Sequence, residues 1–383
     1  MDVLVSGAGI AGTTLAYWLS RFGMRPTVVE RSGSPRTGGN GVDVRGQAVE
    51  VIERMGLLPA VRAAAAAVDG MSFVDTDGRV RGRVRLPGAN LEIMRGDLVT
   101  LLYGQTRDTA EFLFGDAISA VRPDGHGVDV TFQQNGQRRF DLLVGADGVH
   151  SGVRRLVFGP EPRYLKFLGH YFAFADADPA LGENRWMTMY NEPGRMAGIY
   201  RSGNHTGAKA YFIFASKIFE SGLVESPESL LGNVFGGMGW HAPELLRGAL
   251  ADPRLYFDSL SQVRMPSWSA GRVVLVGDAA YCASPVSGSG AMISLIGAYR
   301  LAGELASTSD YARAFARYEK GLRPTIAKAQ GGLFTGMLVP RTRLGIGFRN
   351  LTARLRVAET MAGLENRTQS RVDPLPEYAP LLP

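Results

Sequence analysis

The sequence predicts an α/β protein: a lobe with a parallel β-sheet is interrupted by a second lobe with its own β-sheet and followed by a helical tail. Three observations support this fold class. An apolar strand at residues 2–6 passes through a glycine-rich turn into a helix and a second strand, which makes a βαβ unit. The region from about 163 to 265 has a different composition, rich in aromatic residues and Met. A buried strand at 272–276 then resembles the first strand, so the first lobe resumes there.

The length of the chain supports two lobes. It has 383 residues, whereas a single core seldom grows past ~250–300 residues. The predicted first lobe comprises residues 1–70, 93–162 and 266–311, the second lobe comprises residues 71–92 and 163–265, and the C-terminal helical segment comprises residues 312–383.

The individual elements follow from apolar periodicity and from turn-forming residues. The opening helix ends near Phe22, the second strand ends at Glu30, and residues 34–46 have the Gly, Arg and Asn content of a loop. The further predicted elements are a helix from about Gln47 to Met55, another helix across Ala63–Ala67, an antiparallel ribbon from about 70 to 92, a helix at 96–106, strands within 117–145, and second-lobe strands at Arg185–Tyr190 and Ala208–Ala215.

The charge and composition exclude several classes of partner. The net charge is +6, but the basic residues are dispersed. Their densest cluster, which we interpret as a solvated helix face, is Arg341, Arg343, Arg349, Arg354 and Arg356. A single cysteine, Cys282, permits no intrachain disulfide and suits a reducing compartment. The first strand leaves no room for a signal peptide, and no apolar run reaches eighteen residues. We expect a cytoplasmic protein with no nucleic-acid partner and no membrane span.

A glycine-rich turn marks the first candidate site. Gly7, Gly9 and Gly12 have the G-x-G-x-x-G spacing between a strand and a helix. Such a turn lets a pyrophosphate approach the backbone at a helix N-terminus, where free N–H groups favour anions. Glu30, at the end of the second strand, is placed to bind ribose hydroxyls, and Arg31 beside it is included in the predicted site. The pattern predicts a dinucleotide site; the alternative is a chance glycine-rich turn.

Two later motifs separate FAD from NAD as the dinucleotide. Asp147 lies in Gly145-Ala-Asp-Gly148 after a strand, and Asp278 lies in Val-Gly-Asp-Ala-Ala at the end of the resumed strand. An Asp at the carboxyl end of a strand, beside a bound dinucleotide, can accept hydrogen bonds from a ribityl chain. Either motif alone is more simply explained as a turn. Three motifs in this order favour an FAD site.

The chain resembles the class A flavin-dependent aromatic monooxygenases, the family of para-hydroxybenzoate hydroxylase, over essentially its whole length. In length and motif style it is most similar to the tetracycline-degrading and polyketide-tailoring members. The resemblance implies a Rossmann-like lobe with tightly but non-covalently bound FAD, and NADPH or NADH as a transient reductant. It also implies that one oxygen atom of O2 is transferred to an aromatic or polycyclic small molecule.

The resemblance also assigns the cofactor-binding residues. Gly7, Gly9, Gly12 and Glu30 would hold the adenosine diphosphate half of FAD. Asp147 belongs to a motif that serves both FAD and the nicotinamide nucleotide, and Asp278 to a ribityl contact. The remaining positions that match cofactor contacts of the family are Asp43, Arg45, Arg95, and the flavin-side loop residues Pro285, Gly288 and Gly290. Tyr281 departs from the family, whose members commonly have His at this position.

The second lobe supplies the candidate substrate residues, which are Trp186, Met189, Tyr200, Tyr211 and Phe212. Flat apolar side chains suit a planar multi-ring substrate. Because strand residues alternate between the two faces, only about half of them can face a pocket, and the others fill the core. The family resemblance further suggests that helices at about 312–363 close over a large ligand.

Two other functional classes stay open. One is a flavoprotein of the same fold that oxidises its substrate without inserting oxygen, and the other is a non-catalytic FAD-binding protein. The five histidines have no metal-ligand spacing, so no metal is predicted. The sequence identifies no catalytic acid, base or nucleophile.

Overall fold

A computed structural model describes residues 1–85, 91–217, 226–331, 335–355 and 374–379. The strands are β1 (Asp2–Ser6), β2 (Arg25–Glu30), β3 (Gly41–Val44), β4 (Gly70–Val74), β5 (Val80–Arg85), β6 (Leu91–Met94), β7 (Glu111–Phe114), β8 (Ile118–Pro123), β9 (Val128–Phe132), β10 (Gln137–Phe140), β11 (Leu142–Gly145), β12 (Leu165–Ala177), β13 (Trp186–Glu192), β14 (Arg195–Arg201), β15 (Ala208–Ala215), β16 (Tyr256–Val263), β17 (Ser269–Ala270) and β18 (Val273–Leu275). The helices are α1 (Ile10–Arg21), α2 (Gln47–Arg54), α3 (Leu58–Ala63), α4 (Arg95–Thr106), α5 (Gly152–Val157), α6 (Pro227–Phe235), α7 (Ala242–Ala251), α8 (Asp278–Tyr281), α9 (Gly290–Ala306), α10 (Tyr311–Gly331), α11 (Thr335–Leu338) and α12 (Arg343–Arg354).

The first lobe is built on a six-stranded sheet in the order β17-β18-β11-β1-β2-β7. All pairs in it are parallel except β17 with β18. Its central strands are almost entirely buried, because α1 packs against the sheet and β9 and β10 add Val128, Val130 and Phe140 to the same core. The carboxyl ends of β1, β11 and β18 therefore meet at one edge, and the candidate cofactor motifs follow these ends. A separate antiparallel meander, β10-β9-β8, packs beside this sheet.

The second lobe is built on a seven-stranded sheet in the order β16-β12-β15-β14-β13-β4-β5. Only β13 with β4 is parallel; the other pairs are antiparallel. Its outer face, which includes Tyr171, Ile199 and Phe212, packs against α6 and α7. Its inner face, which includes Phe172 and Met189, packs against the loop that precedes α9 and against α12. The α/β fold class with an interrupting second β-sheet lobe is confirmed.

The domain limits remain a prediction, and two strands cross them. Gly70 belongs to β4 of the second sheet, whereas β6 continues from residue 92 into residue 93 and pairs with β3. The two lobes are thus joined by several chain passages.

Three local predictions were wrong. Residues 41–44 within the predicted loop form β3, because they pair with β6, about fifty residues away along the chain. The Ala63–Ala67 run is not a helix, since α3 ends at Ala63; Ala66 N donates to Glu92 O, and Ala67 N to the Ser202 side chain. These tertiary contacts outweigh the helix propensity of alanine. The cluster of arginines is not wholly solvated either, because Arg349 is buried with its guanidinium over the Phe73 ring.

The C-terminal segment is helical through α10, α11 and α12, as expected. Residues 356–373, which include Arg356 and the end of the predicted closing helices, lie outside the described residues. The stretch 374–379 packs on α9, where Tyr378 donates a hydrogen bond to Glu304 and its ring lies against Gly303. Among the helices of the described residues, none is both long and apolar enough to cross a membrane.

Candidate functional site

The glycine-rich turn between β1 and α1 is tightly packed at two positions and open at the third. Gly7 has φ +104°, and a Cβ there would lie 2.6 Å from Ala146 O. A Cβ at Gly12 would lie 1.9 Å from Gly7 O, so only glycine lets α1 approach the strand. At Gly9 the nearest atom to a Cβ would be Arg95 Nη2, 3.6 Å away. The α1 N-terminus therefore has space beside Gly9 for a ligand that approaches the backbone.

Glu30 closes the turn from the end of β2. It is buried, and its carboxylate accepts hydrogen bonds from Ala8 N and Ser32 N, each at 3.0 Å, and from Arg36 Nη2 at 3.2 Å. Burial alone would raise the pKa of Glu30, but these hydrogen bonds and the charge of Arg36 hold it below its usual value. Glu30 is thus a charged acceptor beside the turn. Arg36, rather than the exposed Arg31, is its basic partner.

Asp147 and Asp278 lie at neighbouring strand ends but have different surroundings. Asp147 accepts hydrogen bonds from Ser151 Oγ and Val153 N, which tie it to the start of α5. Asp278 follows β18, and nothing in the described chain donates a hydrogen bond to its buried Oδ1 atom. Burial raises the pKa of Asp278, and a hydrogen bond with Cys282 and the charge of Arg95 oppose this shift only in part. A buried acceptor without a donor is a place for a ligand hydroxyl.

The loop before α9 contacts the C-terminal end of β3 through another group of polar residues. Arg45 Nη2 donates to Ser289 Oγ at 3.1 Å, while Arg45 Nε is buried and has no hydrogen-bond partner in the described part of the chain. Gly288 has φ +61°, and a Cβ there would lie 2.9 Å from Asp43 Oδ2. The predicted residues Asp43, Arg45 and Gly288 are therefore brought together, and Gly290 at the start of α9 lies near Asp278. Pro285 is exposed at the start of this loop.

The inner face of the second sheet lies opposite this loop. Met189 is fully buried there, in the same cluster as Val286 of the loop. Tyr200 and Tyr211 lie on the same face, with their ring centroids 6.4 Å apart. The structure thus places three of the five candidate substrate residues on the face towards the cofactor motifs.

The other two candidates lie on the opposite face, so their predicted role is not supported. Phe212 packs against Phe235 of α6, with 5.0 Å between ring centroids. Trp186 has the strand parity of the outer face and is covered by the Arg83 guanidinium, 4.4 Å from its ring. Strand alternation separates them from Tyr200 and Tyr211.

Glu92 is a polar residue of this region that sequence reasoning missed. It is the direct cross-strand neighbour of Asp43 in the β3–β6 pair, and its Oε1 accepts a hydrogen bond from Tyr200 OH at 2.8 Å. Burial raises the pKa of Glu92; the Tyr200 hydrogen bond lowers it, and the charge of Asp43 raises it further. Two carboxyl groups directly opposite each other destabilise a strand pair. Their presence beside the candidate site therefore suggests a chemical use.

The polar contacts of His150 were also not predicted, although His150 lies only two residues after Gly148 of the Asp147-Gly148 turn. Its Nδ1 lies 2.9 Å from Glu161 Oε1, and its Nε2 lies 3.1 Å from Asp258 Oδ1 on β16 of the second sheet. The hydrogen bonds to Asp258 and Glu161 outweigh partial burial and raise the pKa of His150 to about 10. The protonated imidazole therefore links the first lobe to the second at neutral pH.

Tyr281 and Cys282 belong to the core. Tyr281 is buried between α9 and α10, with its hydroxyl 3.1 Å from Tyr318 OH. Cys282 is a buried free thiol whose Sγ lies 3.8 Å from Ser261 O. Position 281, where members of the family commonly have His, is therefore occupied by a tyrosine that packs in the core.

Comparisons with known proteins agree with this geometry. The FAD binding domain family matches residues 1–214 and 257–324. The uncharacterized protein Rv1260 of Mycobacterium tuberculosis is 44% identical over 329 residues, covering 82% of this chain and 88% of that protein. A flavin-dependent monooxygenase of Legionella longbeachae is 34% identical, covering 84% and 85%. The crystal structure of tetracycline destructase Tet(51) superposes with a TM-score of 0.86 at 32% identity, covering 98% of this chain and 99% of that one.

Proposed function

The chain belongs to the FAD-binding family of flavin-dependent monooxygenases, and we propose that it uses NADPH or NADH and O2 to hydroxylate a polycyclic aromatic substrate. One observation supports the proposed class of substrate. The inner face of the second sheet presents Met and aromatic side chains with few polar groups, among them the Glu92–Tyr200 pair, opposite the loop before α9. Such a face suits a large planar molecule with few hydrogen-bonding groups.

The residues at the strand ends fit FAD. The space at Gly9 and the α1 N-terminus suit a pyrophosphate, and charged Glu30 suits ribose hydroxyls. The unpartnered Asp278 Oδ1 suits a ribityl hydroxyl, and the unpartnered Arg45 Nε suits a cofactor acceptor atom. We assign the adenosine half to Gly7, Gly9, Gly12 and Glu30, and the flavin half to Arg45, Asp278 and the Gly288–Gly290 loop. Bound FAD supplies the oxygen-transfer chemistry.

The protein's own chemical contribution centres on Glu92. A phenol or enol hydroxyl of the substrate gives its proton to the Glu92 carboxylate, and the electron pair of the broken O–H bond stays on the substrate oxygen. This raises the electron density of the ring at the carbon that is to be hydroxylated. Tyr200 fixes the carboxylate by its hydrogen bond, and the raised pKa makes Glu92 a stronger base than an exposed glutamate. The buried apolar face excludes water from the proton transfer.

The Tet(51) likeness supports a large substrate. That protein is a tetracycline destructase, and the superposition covers both lobes of this chain. It supports a multi-ring substrate over a single-ring acid.

The decisive experiment measures NADPH and NADH oxidation by the FAD-loaded protein with polycyclic phenols, including tetracyclines, and with simple benzoates, under ¹⁸O-labelled O2. We expect polycyclic phenols to stimulate turnover and one labelled oxygen atom to appear in the product. Turnover only with a single-ring acid would overturn the substrate class. Substrate oxidation without label in the product would favour a flavoprotein that does not insert oxygen. FAD binding without any nucleotide oxidation would favour a non-catalytic protein.

A further inference from the structure

Helix α12 has an exposed apolar stripe. Leu344, Phe348, Leu351 and Leu355 are 88%, 70%, 52% and 64% exposed. Their spacing of four, three and four residues places them within about 60° of one another around the helix axis. They form a continuous strip along the whole helix. Scattered single apolar residues are normal on a protein surface, but a contiguous strip marks a contact surface.

Contacts on the opposite side of α12 hold the helix so that the stripe faces outwards. Arg349 is buried, with its guanidinium carbon 3.8 Å from the centroid of Phe73, and its Nη1 donates to Asn191 Oδ1 at 2.7 Å. Ala353 is buried against β5, where a Cβ at Gly82 would come within 3.0 Å of the Ala353 Cβ. The helix therefore cannot rotate to bury its stripe without losing these contacts.

The charged residues around the stripe are all basic. Arg341, Arg343 and Arg354 are exposed, and residues 335–355 contain no Asp or Glu. None of these three arginines forms a salt bridge with another residue that the structure describes. Arg343 and Arg354 lie about a quarter turn from the stripe, on the same side of it.

We propose that α12 docks this protein onto an anionic lipid surface, with the stripe in the acyl boundary and the arginines among the head groups. An amphipathic helix with a basic border and large apolar residues lies in such an interface. The alternative of a second copy is disfavoured by charge. A two-fold contact between two such helices would bring the exposed arginines of both copies together without a carboxylate on either helix.

The docking is expected to be reversible and salt-dependent. A single helix of 12 residues buries a limited apolar area. The arginines act on lipid charge only within a Debye length, about 10 Å at 0.1 M salt. Binding is therefore strongest at low ionic strength and on membranes with anionic lipid.

The test is co-sedimentation of the FAD-loaded protein with phosphatidylcholine vesicles that contain or lack phosphatidylglycerol. We expect binding to the anionic vesicles only. The double variant Phe348→Gln/Leu351→Gln and the double variant Arg343→Glu/Arg354→Glu should each weaken it by roughly tenfold or more. Because these side chains face solvent, the melting temperature and the FAD content should not change.

Matched controls come from α7, which carries an exposed Leu250 and an exposed Arg247. This helix packs on the outer face of the second sheet, whereas α12 packs on the inner face. Leu250→Gln and Arg247→Glu should leave vesicle binding unchanged. Absence of binding to anionic vesicles, or binding that the α12 variants do not weaken, would overturn the proposal. A protein dimer in solution that the Phe348→Gln/Leu351→Gln variant dissociates would instead assign the stripe to a second copy. The measurement does not depend on the substrate, so it stands apart from the proposed hydroxylation.

Discussion

At the scale of single residues, Glu92 has the features that a proton acceptor needs. It is largely withdrawn from water, it faces a second carboxyl at Asp43, and Tyr200 holds one of its oxygens. The first two features raise its pKa, so the carboxylate holds a proton more tightly than an exposed glutamate. A base must be unprotonated to act. Activity that depends on Glu92 should therefore be lost as the pH falls through this raised pKa.

We expect Glu92→Gln to lower kcat by about a hundredfold or more, in the range typical of a positioned general base. The acidic limb of the kcat/KM profile against pH should disappear with it, because the titrating group is gone. Tyr200→Phe should keep the limb but move it, since the hydrogen bond to the carboxylate is lost. The control is Glu53→Gln, an exposed glutamate on α2. An unchanged acidic limb in Glu92→Gln would show that another group sets it.

Residues in local motifs were predicted from the sequence, whereas residues defined by distant pairing were not. Gly7, Gly12 and Asp278 sit where motif spacing placed them, because strand, turn and helix are adjacent in the chain. Glu92 acquires its neighbours Asp43 and Tyr200 only through the folded sheets. Likewise, the composition of the second lobe indicated aromatic faces, but only the strand register shows that Phe212 points away from the site.

At the scale of elements, the crossing of α1 over β1 depends on a close backbone approach. A Cβ at Gly12 would lie 1.9 Å from Gly7 O, a backbone atom that cannot move aside cheaply. The helix N-terminus, where we propose that the pyrophosphate binds, would shift with it. The element and its ligand site are therefore fixed by the same glycine.

We expect Gly12→Ala to destabilise the protein by at least about 1–3 kcal/mol and to reduce the bound FAD per chain. Gly104→Ala in α4 is the matched control, since a Cβ there meets nothing within 4 Å. That change should stabilise by about 0.5–1 kcal/mol, because alanine favours a helix interior. Chemical denaturation and flavin absorbance of the purified variants measure both effects. Full FAD occupancy and wild-type stability in Gly12→Ala would contradict the close crossing.

Elements with strong local patterns were predicted well, and those made by long-range contacts were not. The strand β15 matches its predicted limits, Ala208–Ala215, and burial alternates along its first five residues, which is the kind of pattern from which a strand is predicted. The strand β3 has four residues and exists through its pairing with β6. The helices α6 and α7, which cover the outer face of the second sheet, were not predicted, because aromatic and apolar composition alone does not distinguish strand from helix in a buried region.

At the scale of the whole molecule, a charged cluster joins the two lobes beside the cofactor motifs. His150 bridges Glu161 in the first lobe and Asp258 in the second. Arg154 is fully buried, and its guanidinium donates to Glu161 and to Ala279 O, the residue after Asp278. The Asp147 turn, the Asp278 turn and the second sheet are thus held in one arrangement.

This cluster makes the stability of the lobe contact depend on pH. The pKa of His150 is raised from 6.5 to about 10 on folding. The stabilisation is therefore complete below about pH 6.5, persists at neutral pH and is lost as the pH rises through about 10. Because the His150 side chain is 42% exposed, solvent screening limits the effect to on the order of 1 kcal/mol. His150→Gln keeps hydrogen-bonding capacity but removes the charge.

We expect His150→Gln to be less stable than the wild type by this amount at pH 7, and the difference to vanish near pH 10.5. Measuring the difference between the two proteins in urea at each pH cancels the titration of other groups, such as tyrosines and lysines, that ionise over the same range. His126→Gln is the control, because this histidine lies in the exposed turn between β8 and β9. A stability difference that is equal at both pH values would mean that His150 acts by packing alone. A difference that fades with rising pH would mean that one protonated imidazole fastens the second sheet to the cofactor lobe.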